Sequence, residues 1–169
     1  MGMADYFRRV HDVYVSCGIL FNHESSRRAP QFVSRRIVDG LAAIKFGLAE
    51  SLDLGSLEVR VDWGYAPDYT RAMRSILSLD QPGDFVIATG ETHSISEFVD
   101  IAADELGLDT HGRIVESPLL LKRPPQELCG NASKLRAACG WHPTVSFEQM
   151  VRILAQDAAR RIGDSARKK

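Results

Sequence analysis

A run of β-branched and aromatic residues, Val13–Phe21, ends abruptly in the polar and charged segment Asn22–Arg28. Such a run predicts a buried β-strand. In an open α/β sheet, ligands bind beyond the carboxyl ends of the strands. We therefore predict that the polar segment lines a binding crevice. The alternative is that its histidine is a satisfied structural residue and its arginines are solvated charges, which is the more common situation for such residues.

Short apolar runs alternate with helix-period stretches along the rest of the chain. Apolar residues spaced by three or four positions predict amphipathic helices over 33–48 and 67–79. Capping boxes, Ser94 with Glu97 and Ser146 with Gln149, begin two more helices. Strands are predicted over 57–61, 85–88 and 114–115. Residues 5–10 are predicted to end a helix, and Asn131 to Ala138 to form a short one. Four or five strands and five helices in alternation predict an α/β sheet, thin enough that some helices lack the layer they should cover.

Composition limits the protein class and its partners. A chain of 169 residues with a net charge of −1 predicts one domain without a field that would hold nucleic acid or an anionic membrane. No apolar run approaches the roughly 20 residues of a membrane span, and the first ten residues are charged where a signal peptide is apolar. We therefore expect a cytoplasmic protein. The three cysteines have no zinc-like spacing and are expected to be reduced thiols.

Common catalytic and nucleotide-binding motifs are missing from the sequence. The thirteen glycines form no G-x-G-x-x-G, and there is no P-loop, G-x-S-x-G or H-E-x-x-H motif. None of the four tyrosines has a lysine four residues later. The sequence therefore predicts no catalytic residue and no metal site of its own.

Candidate anion contacts are present in several segments. Asn22, Arg28, Arg36 and Arg123 lie at strand ends or beside the polar segment, so we predict that they converge on a diphosphate. Glu24 is a candidate to orient an arginine or histidine. The alternative for each arginine is a surface charge of little consequence.

Three segments, in this order, resemble GDP-mannose 4,6-dehydratase, an NADP-dependent lyase of the extended short-chain dehydrogenase/reductase superfamily. They are Gly18–Ser25, Asp62–Tyr69 and Phe85–Ser94, and the similarity includes Arg123-Pro124 and Gly140-Trp141. Each segment alone fits other sugar-nucleotide enzymes. Together they are specific for this family.

The resemblance implies an incomplete Rossmann-like α/β fold, with the distal strands and the small C-terminal substrate-binding part. In the family, NADP takes a hydride from C4 of the mannose, water is eliminated across C5 and C6, and the hydride returns to C6. A Thr or Ser, a Glu and a Tyr-x-x-x-Lys pair perform this in the N-terminal half. Residues 1–169 are thus expected to form a single unit equivalent to the C-terminal half, without the NADP-binding half and inactive alone.

The resemblance also assigns substrate contacts. Asn22, Arg36 and Arg123 match family positions that hold GDP-mannose, and Gln126 stands where the family has a Glu near the ribose. Val61 stands where the family has a diphosphate-binding arginine. Losing one such charge-assisted contact costs on the order of 1.5–3 kcal/mol.

Cofactor and subunit contacts follow from the same resemblance. His23 and Arg28 match positions that contact NADP, and the loop containing Arg27 and Arg28 resembles one that reaches a neighbouring subunit. The expected partners are therefore a GDP-sugar and either a second copy or a complete relative. Ser26 and Ala29 replace a proline and a glycine of the family loop, which changes the backbone preferences there.

The sequence leaves three alternatives to the substrate-binding part of a dehydratase. The chain could be a non-catalytic GDP-sugar-binding or interaction module, or a remnant without selected activity. It could also derive from a related sugar-nucleotide reductase or epimerase, although the Asn22–Ser25 segment disfavours that assignment.

Overall fold

The structure is a computed structural model that describes residues 2–117, 120 and 127–167. Helices and strands alternate along the chain. The helices are α1 Gly2–His11, α2 Val33–Lys45, α3 Ala66–Leu77, α4 Ile95–Leu106, α5 Ser133–Cys139 and α6 Phe147–Ala166. The strands are β1 Cys17–Leu20, β2 Asn22–Glu24, β3 Leu52–Leu54, β4 Arg60–Val61, β5 Trp63–Tyr65, β6 Asp84–Ile87, β7 His93–Ser94 and β8 Ile114–Glu116.

The strands form four two-stranded ladders. Three ladders are parallel, β1 with β6, β2 with β5 and β3 with β8, while β4 and β7 are antiparallel. β1 and β2 are consecutive in the chain, but they pair with different strands, so the chain changes partner at Phe21. The α/β class agrees with the prediction from alternation. The prediction of one thin sheet of four or five strands was wrong, because the described residues form eight short strands in separate ladders.

The first strand is shorter than the predicted Val13–Phe21 run. β1 begins at Cys17, because the preceding residues are held by side-chain contacts instead of a strand ladder. The Tyr14 hydroxyl lies 2.7 Å from the Ile76 carbonyl oxygen, and Ser16 Oγ accepts a hydrogen bond of 3.1 Å from the Gly83 amide. The apolar run is thus a connection followed by a strand.

The predicted helices are confirmed, with small differences at their ends. α2 ends at Lys45 and not at Leu48, since Gly47 adopts a left-handed conformation with φ of +69°. Ser146 and Gln149 form a reciprocal capping box at the start of α6. Among the described residues, no helix is both long and apolar enough to cross a membrane.

The described residues form two apolar clusters between the helices and strands. The larger one joins α2, α4 and α6 through fully buried side chains such as Ile37, Phe98 and Met150. The smaller one joins α3 and α5 to the β1–β6 ladder, and it includes Tyr69 and Trp141.

Candidate functional site

The loop after β2 lines an open cleft of about 420 Å³, which we call the arginine-loop cleft. Its lining includes His23, Arg27, Arg28, Phe32 and Tyr69. The loop is folded by its own hydrogen bonds, including one of 2.9 Å from the Arg28 amide to the Ser25 carbonyl. Polar and cationic groups from a strand end therefore do line a hollow, as the sequence predicts.

Arg35 fixes the backbone of this loop from the first turn of α2. Its Nη1 donates to the carbonyl oxygens of Ser26 and Arg28, both at 2.9 Å. Its Nε contacts both carboxylate oxygens of Asp39, at 2.8 and 2.9 Å. The loop shape is thus set by a helix side chain, although the prolyl and glycyl residues of the family pattern are absent.

Arg28 is held between an aromatic ring and a buried carboxylate. Its guanidinium carbon lies 3.6 Å from the centroid of Phe32, and its Nε lies 3.1 Å from Glu24 Oε2. Glu24 is only 2% exposed and accepts a 2.6 Å hydrogen bond from Ser34 Oγ. Glu24 therefore contacts an arginine, and its role in orienting that arginine stays a prediction. Burial raises the pKa of Glu24, while Ser34 and Arg28 act in the opposite direction.

We expect the stability difference between wild type and Glu24→Gln to depend on pH. Because the pKa of Glu24 is higher in the folded protein, its contribution to stability is fully present below the ordinary value of 4.5 and is lost as the pH rises through the folded pKa. The free energy of unfolding of wild type minus that of the variant should fall from pH 4 to pH 8. Urea unfolding measures it. Glu58→Gln, at an exposed position, is the control, and a difference that grows with pH would contradict the prediction.

His23 is oriented by the strand from which it projects. Its Nδ1 lies 2.8 Å from the Phe21 carbonyl oxygen, and its ring stacks on Tyr69 with centroids 5.0 Å apart. A carbonyl oxygen can only accept, so the proton of the neutral ring lies on Nδ1 and Nε2 is an acceptor. His23 thus offers a lone pair to a hydroxyl or amide donor, beside two arginines that offer hydrogen bonds to an anion.

A second cleft, of about 340 Å³, lies on the other side of the start of α2, and we call it the Arg36 cleft. Its walls are mostly apolar. Besides Arg36 they include Gln31, Val33, Leu54, Gly55, Ser56, Val59, Val61, Ile95 and Leu120. Phe32, the N-cap of α2, gives no side-chain cap, so the positive end of the helix and the guanidinium favour an anion together.

The predicted contacts are thus divided between two clefts. Gln31 and Val33 line the Arg36 cleft, whereas Phe32 between them lines the arginine-loop cleft with His23 and Arg28. Asn22 is exposed in β2 and lines neither cleft. The structure therefore brings His23 and Arg28 together, but it does not bring Arg28 or Asn22 into one cleft with Arg36. Arg123 and Gln126 lie outside the described residues.

Val61 contributes an apolar wall to the Arg36 cleft, and the neighbouring arginine does not replace the missing charge. The guanidinium of Arg60 bonds Glu97 Oε1 at 3.0 Å and the Thr92 carbonyl at 2.6 Å. Arg60 is thus largely neutralised by its own partners, and Arg36 carries the positive charge among the described lining residues of this cleft.

Tyr69 is a site feature that the sequence interpretation missed. Its ring is fully buried against Gly64, and its hydroxyl has no hydrogen-bond partner among the described residues. Burial, with the nearby carboxylates of Asp62, Asp68 and Glu24, raises its pKa, so the hydroxyl stays protonated as a donor. In the sequence, only the position of a tyrosine among the apolar residues of this helix face indicates a buried hydroxyl.

This chain is similar in sequence to proteins of known name. The family described as GDP-mannose 4,6 dehydratase matches residues 2–154. "GDP-mannose 4,6 dehydratase 1" of Arabidopsis thaliana is 40% identical over 153 residues, which is 89% of this chain and 42% of the relative. The Cricetulus griseus enzyme of the same name is 39% identical over 168 residues, 89% of this chain and 45% of the relative. The chain thus spans less than half the length of these curated relatives.

Solved structures show the same fold. RMD from Pseudomonas aeruginosa, complexed with NADPH, aligns with a TM-score of 0.85 and 23% identity over 95% of this chain and 53% of its own. The dTDP-glucose 4,6-dehydratase of Bacillus anthracis, in complex with NAD, aligns with a TM-score of 0.81 and 18% identity over 96% of this chain and 50% of its own. This chain therefore has the α/β fold of about half of such a sugar-nucleotide enzyme, as its sequence predicts.

Proposed function

Because the chain belongs to the GDP-mannose 4,6-dehydratase family, we propose that it is the substrate-binding part of an enzyme that converts GDP-mannose to GDP-4-keto-6-deoxymannose with bound NADP. The observation that carries this proposal is the Arg36 cleft. It combines apolar walls with a cation at the positive end of a helix, which suits a nucleoside diphosphate.

The Arg36 cleft has an apolar part and a cationic part, and we assign the two ends of GDP-mannose accordingly. Val59, Val61 and Ile95 offer an apolar surface to the base, and Arg36 offers a guanidinium fork to the diphosphate. We assign Asn22, Arg123 and Gln126 to the sugar and ribose on the family resemblance alone. These contacts bind and orient the substrate, and the acid–base chemistry is assigned to the other half of the enzyme.

The arginine-loop cleft fits a phosphorylated cofactor such as NADP. Arg27 and Arg28 suit a phosphate, the His23 Nε2 suits a hydroxyl or amide donor, and the buried Tyr69 hydroxyl is an orphaned donor in the same wall. When bound, NADP would supply the hydride acceptor for the reaction. The role of this chain is to hold one side of it. The exposed Arg27 is also the side chain that we assign to contact with a neighbouring subunit.

Replacing Arg36 with alanine is expected to weaken GDP-mannose binding about tenfold to a hundredfold, because one charge-assisted contact to the diphosphate is lost. Isothermal titration of the 169-residue chain with GDP-mannose measures the effect. Arg136→Ala, at an exposed position of α5, is the matched control and should bind as wild type does. No heat from wild type at millimolar GDP-mannose, or equal affinity of the Arg36 variant, would contradict the proposal.

An activity assay separates the two main alternatives. We expect the chain alone to bind GDP-mannose without converting it, since none of its tyrosines has a lysine four residues later. Formation of the 4-keto-6-deoxy product by the purified chain with NADP would show that the chemistry does not need the other half. Binding without product, even when the N-terminal part of a relative is supplied, would favour the non-catalytic GDP-sugar-binding module.

A further inference from the structure

We propose that Asp39 and Arg161 are positioning residues for the loop after β2, and that α6 sets the conformation of this loop through them. Arg161 of α6 holds Asp39, Asp39 holds Arg35, and Arg35 holds the backbone of the loop. The inference rests on the proposed function in one respect only, which is the assignment of NADP as the ligand of the arginine-loop cleft.

The first observation is the way in which Arg35 is held. Its bonds to two loop carbonyls require one orientation of the guanidinium plane, because the N–H donors of arginine have a fixed geometry. Asp39 supplies that orientation, since both of its carboxylate oxygens accept from Arg35 Nε. The Arg35 side chain is only 14% exposed, so water competes less for these bonds than it does at an open surface.

The second observation is that Asp39 is shared by two arginines from different helices. Its Oδ1 accepts from Arg35 Nε within α2, at 2.9 Å, and from Arg161 Nη2 of α6, at 2.5 Å. Without this carboxylate the two guanidiniums would be like charges around one unoccupied acceptor position. The orientation of Arg35 therefore depends on a helix that is 122 residues away from Asp39 along the chain.

The neighbouring arginine of α6 shows that this contact is selective. Arg160 is 74% exposed and pairs with Asp157 of the same helix at 2.7 Å. Arg161 is 37% exposed, and its Nη2 contacts α2. Isolated surface ion pairs contribute little to stability. A carboxylate that joins two guanidiniums, one of which also holds a loop, instead couples three segments of the chain.

The consequence for a ligand of the arginine-loop cleft is geometric. The carbonyl oxygen of Arg28 is held by Arg35, whereas His23 is held by the strand that carries it. A loop released from Arg35 would therefore shift Arg28 relative to His23, and a phosphorylated ligand that contacts both would lose part of its contacts. Asp39 and Arg161 are not among the described lining residues of either cleft, so they act on a ligand through Arg35.

Hydrogen exchange measured by NMR on the 169-residue chain tests this series of contacts. The reporter is the Arg28 amide, which donates to the Ser25 carbonyl oxygen within the loop. We expect Asp39→Asn and Arg161→Gln each to speed its exchange about fivefold, because the closed loop loses its support. Arg160→Gln is the matched control, with the same change on the same helix, and should leave the exchange rate as in wild type.

A double-mutant cycle with Arg35→Gln separates positioning from a general loss of stability. In that background the loop is already released, so adding Asp39→Asn should change the exchange rate of the Arg28 amide by less than about twofold. A carboxylate that only stabilised the fold would give the same fold-change in both backgrounds.

Titration of the chain with NADP keeps this inference apart from the proposed cofactor contact. Where wild type binds NADP, Asp39→Asn and Arg161→Gln should weaken binding about fivefold, and Arg160→Gln should not. A wild type that does not bind NADP would contradict the cofactor assignment, and the exchange rates alone would then decide the positioning role.

Three results would overturn the inference. The first is an unchanged exchange rate of the Arg28 amide in Asp39→Asn. The second is an equal effect of Asp39→Asn with and without Arg35→Gln, since the carboxylate would then not act through Arg35. The third is an effect of Asp39→Asn without one of Arg161→Gln, which would remove α6 from the series.

Discussion

Replacement of Asp62 by alanine is expected to lower the free energy of unfolding by about 3–5 kcal/mol. This fully buried carboxylate accepts bonds from the Thr89 amide at 3.0 Å, the Thr89 hydroxyl at 2.6 Å, the Gly90 amide at 3.1 Å and the Gly130 amide at 3.0 Å. Alanine would leave three backbone donors without an acceptor. The Gly130 amide is buried and the other two are partly buried, and a buried donor left unpaired costs about 1–3 kcal/mol. The carboxylate thus joins the β4–β5 connection, the end of β6 and the segment before α5.

Urea unfolding followed by tryptophan fluorescence measures this loss. Asp53→Ala is the matched control, because Asp53 is exposed in β3 and its removal should change the free energy by no more than about 0.5 kcal/mol. The loss in free energy of unfolding for Asp62→Asn should lie between those for Asp62→Ala and Asp53→Ala, since asparagine keeps one acceptor oxygen. A loss below about 1 kcal/mol for Asp62→Ala would contradict the role that we assign to this residue.

The second large effect is expected at Asp68, which holds the start of α6 against α3. Its carboxylate accepts bonds from the amides of Thr144 and Val145, at 2.8 and 3.1 Å, and from Arg71 Nη1 at 2.6 Å. Only 2% of Asp68 is exposed, so Asp68→Ala should cost about 2–3 kcal/mol by leaving the partly buried amides of Thr144 and Val145 and the Arg71 guanidinium without their acceptor. Urea unfolding at pH 7 measures the loss, and Asp164→Ala, at an exposed position of α6, is the control.

The contribution of Asp68 should also depend on pH. Burial acts to raise its pKa, but the hydrogen bonds from Thr144 and Val145, with Arg71, outweigh burial and hold the pKa below 3.8. A lowered folded pKa means that the contribution is present above the unfolded pKa and is lost as the pH falls through the folded one. The stability of wild type relative to Asp68→Asn should therefore decrease from pH 6 to pH 2. An unchanged difference would contradict the assignment.

Local signals in the sequence predicted the helices well. Ser94 and Ser146 begin α4 and α6 as predicted, because an N-cap depends on residues only three positions apart. Several strands escaped prediction, since β2, β3 and β5 have three residues each and give too little alternation to detect. The α/β class nevertheless followed from the order of the longer elements.

The site was predictable in its residues more than in its arrangement. His23, Arg28 and Arg36 were selected from strand-end position and family resemblance, and each lines a cleft. Their division between two clefts depends on the direction of side chains around Phe32, which spacing does not reveal. Asp62 and Asp68 gave no signal, because most of their donors lie 27–77 residues away along the chain.

The main chain at Gln31–Val33 separates the Arg36 cleft from the arginine-loop cleft. Phe32 faces one hollow and supports Arg28, while its two neighbours face the other. A ligand that moves the Phe32 backbone would therefore move the wall of the other cleft as well, and the two ligands would then change each other's binding free energy by the same amount.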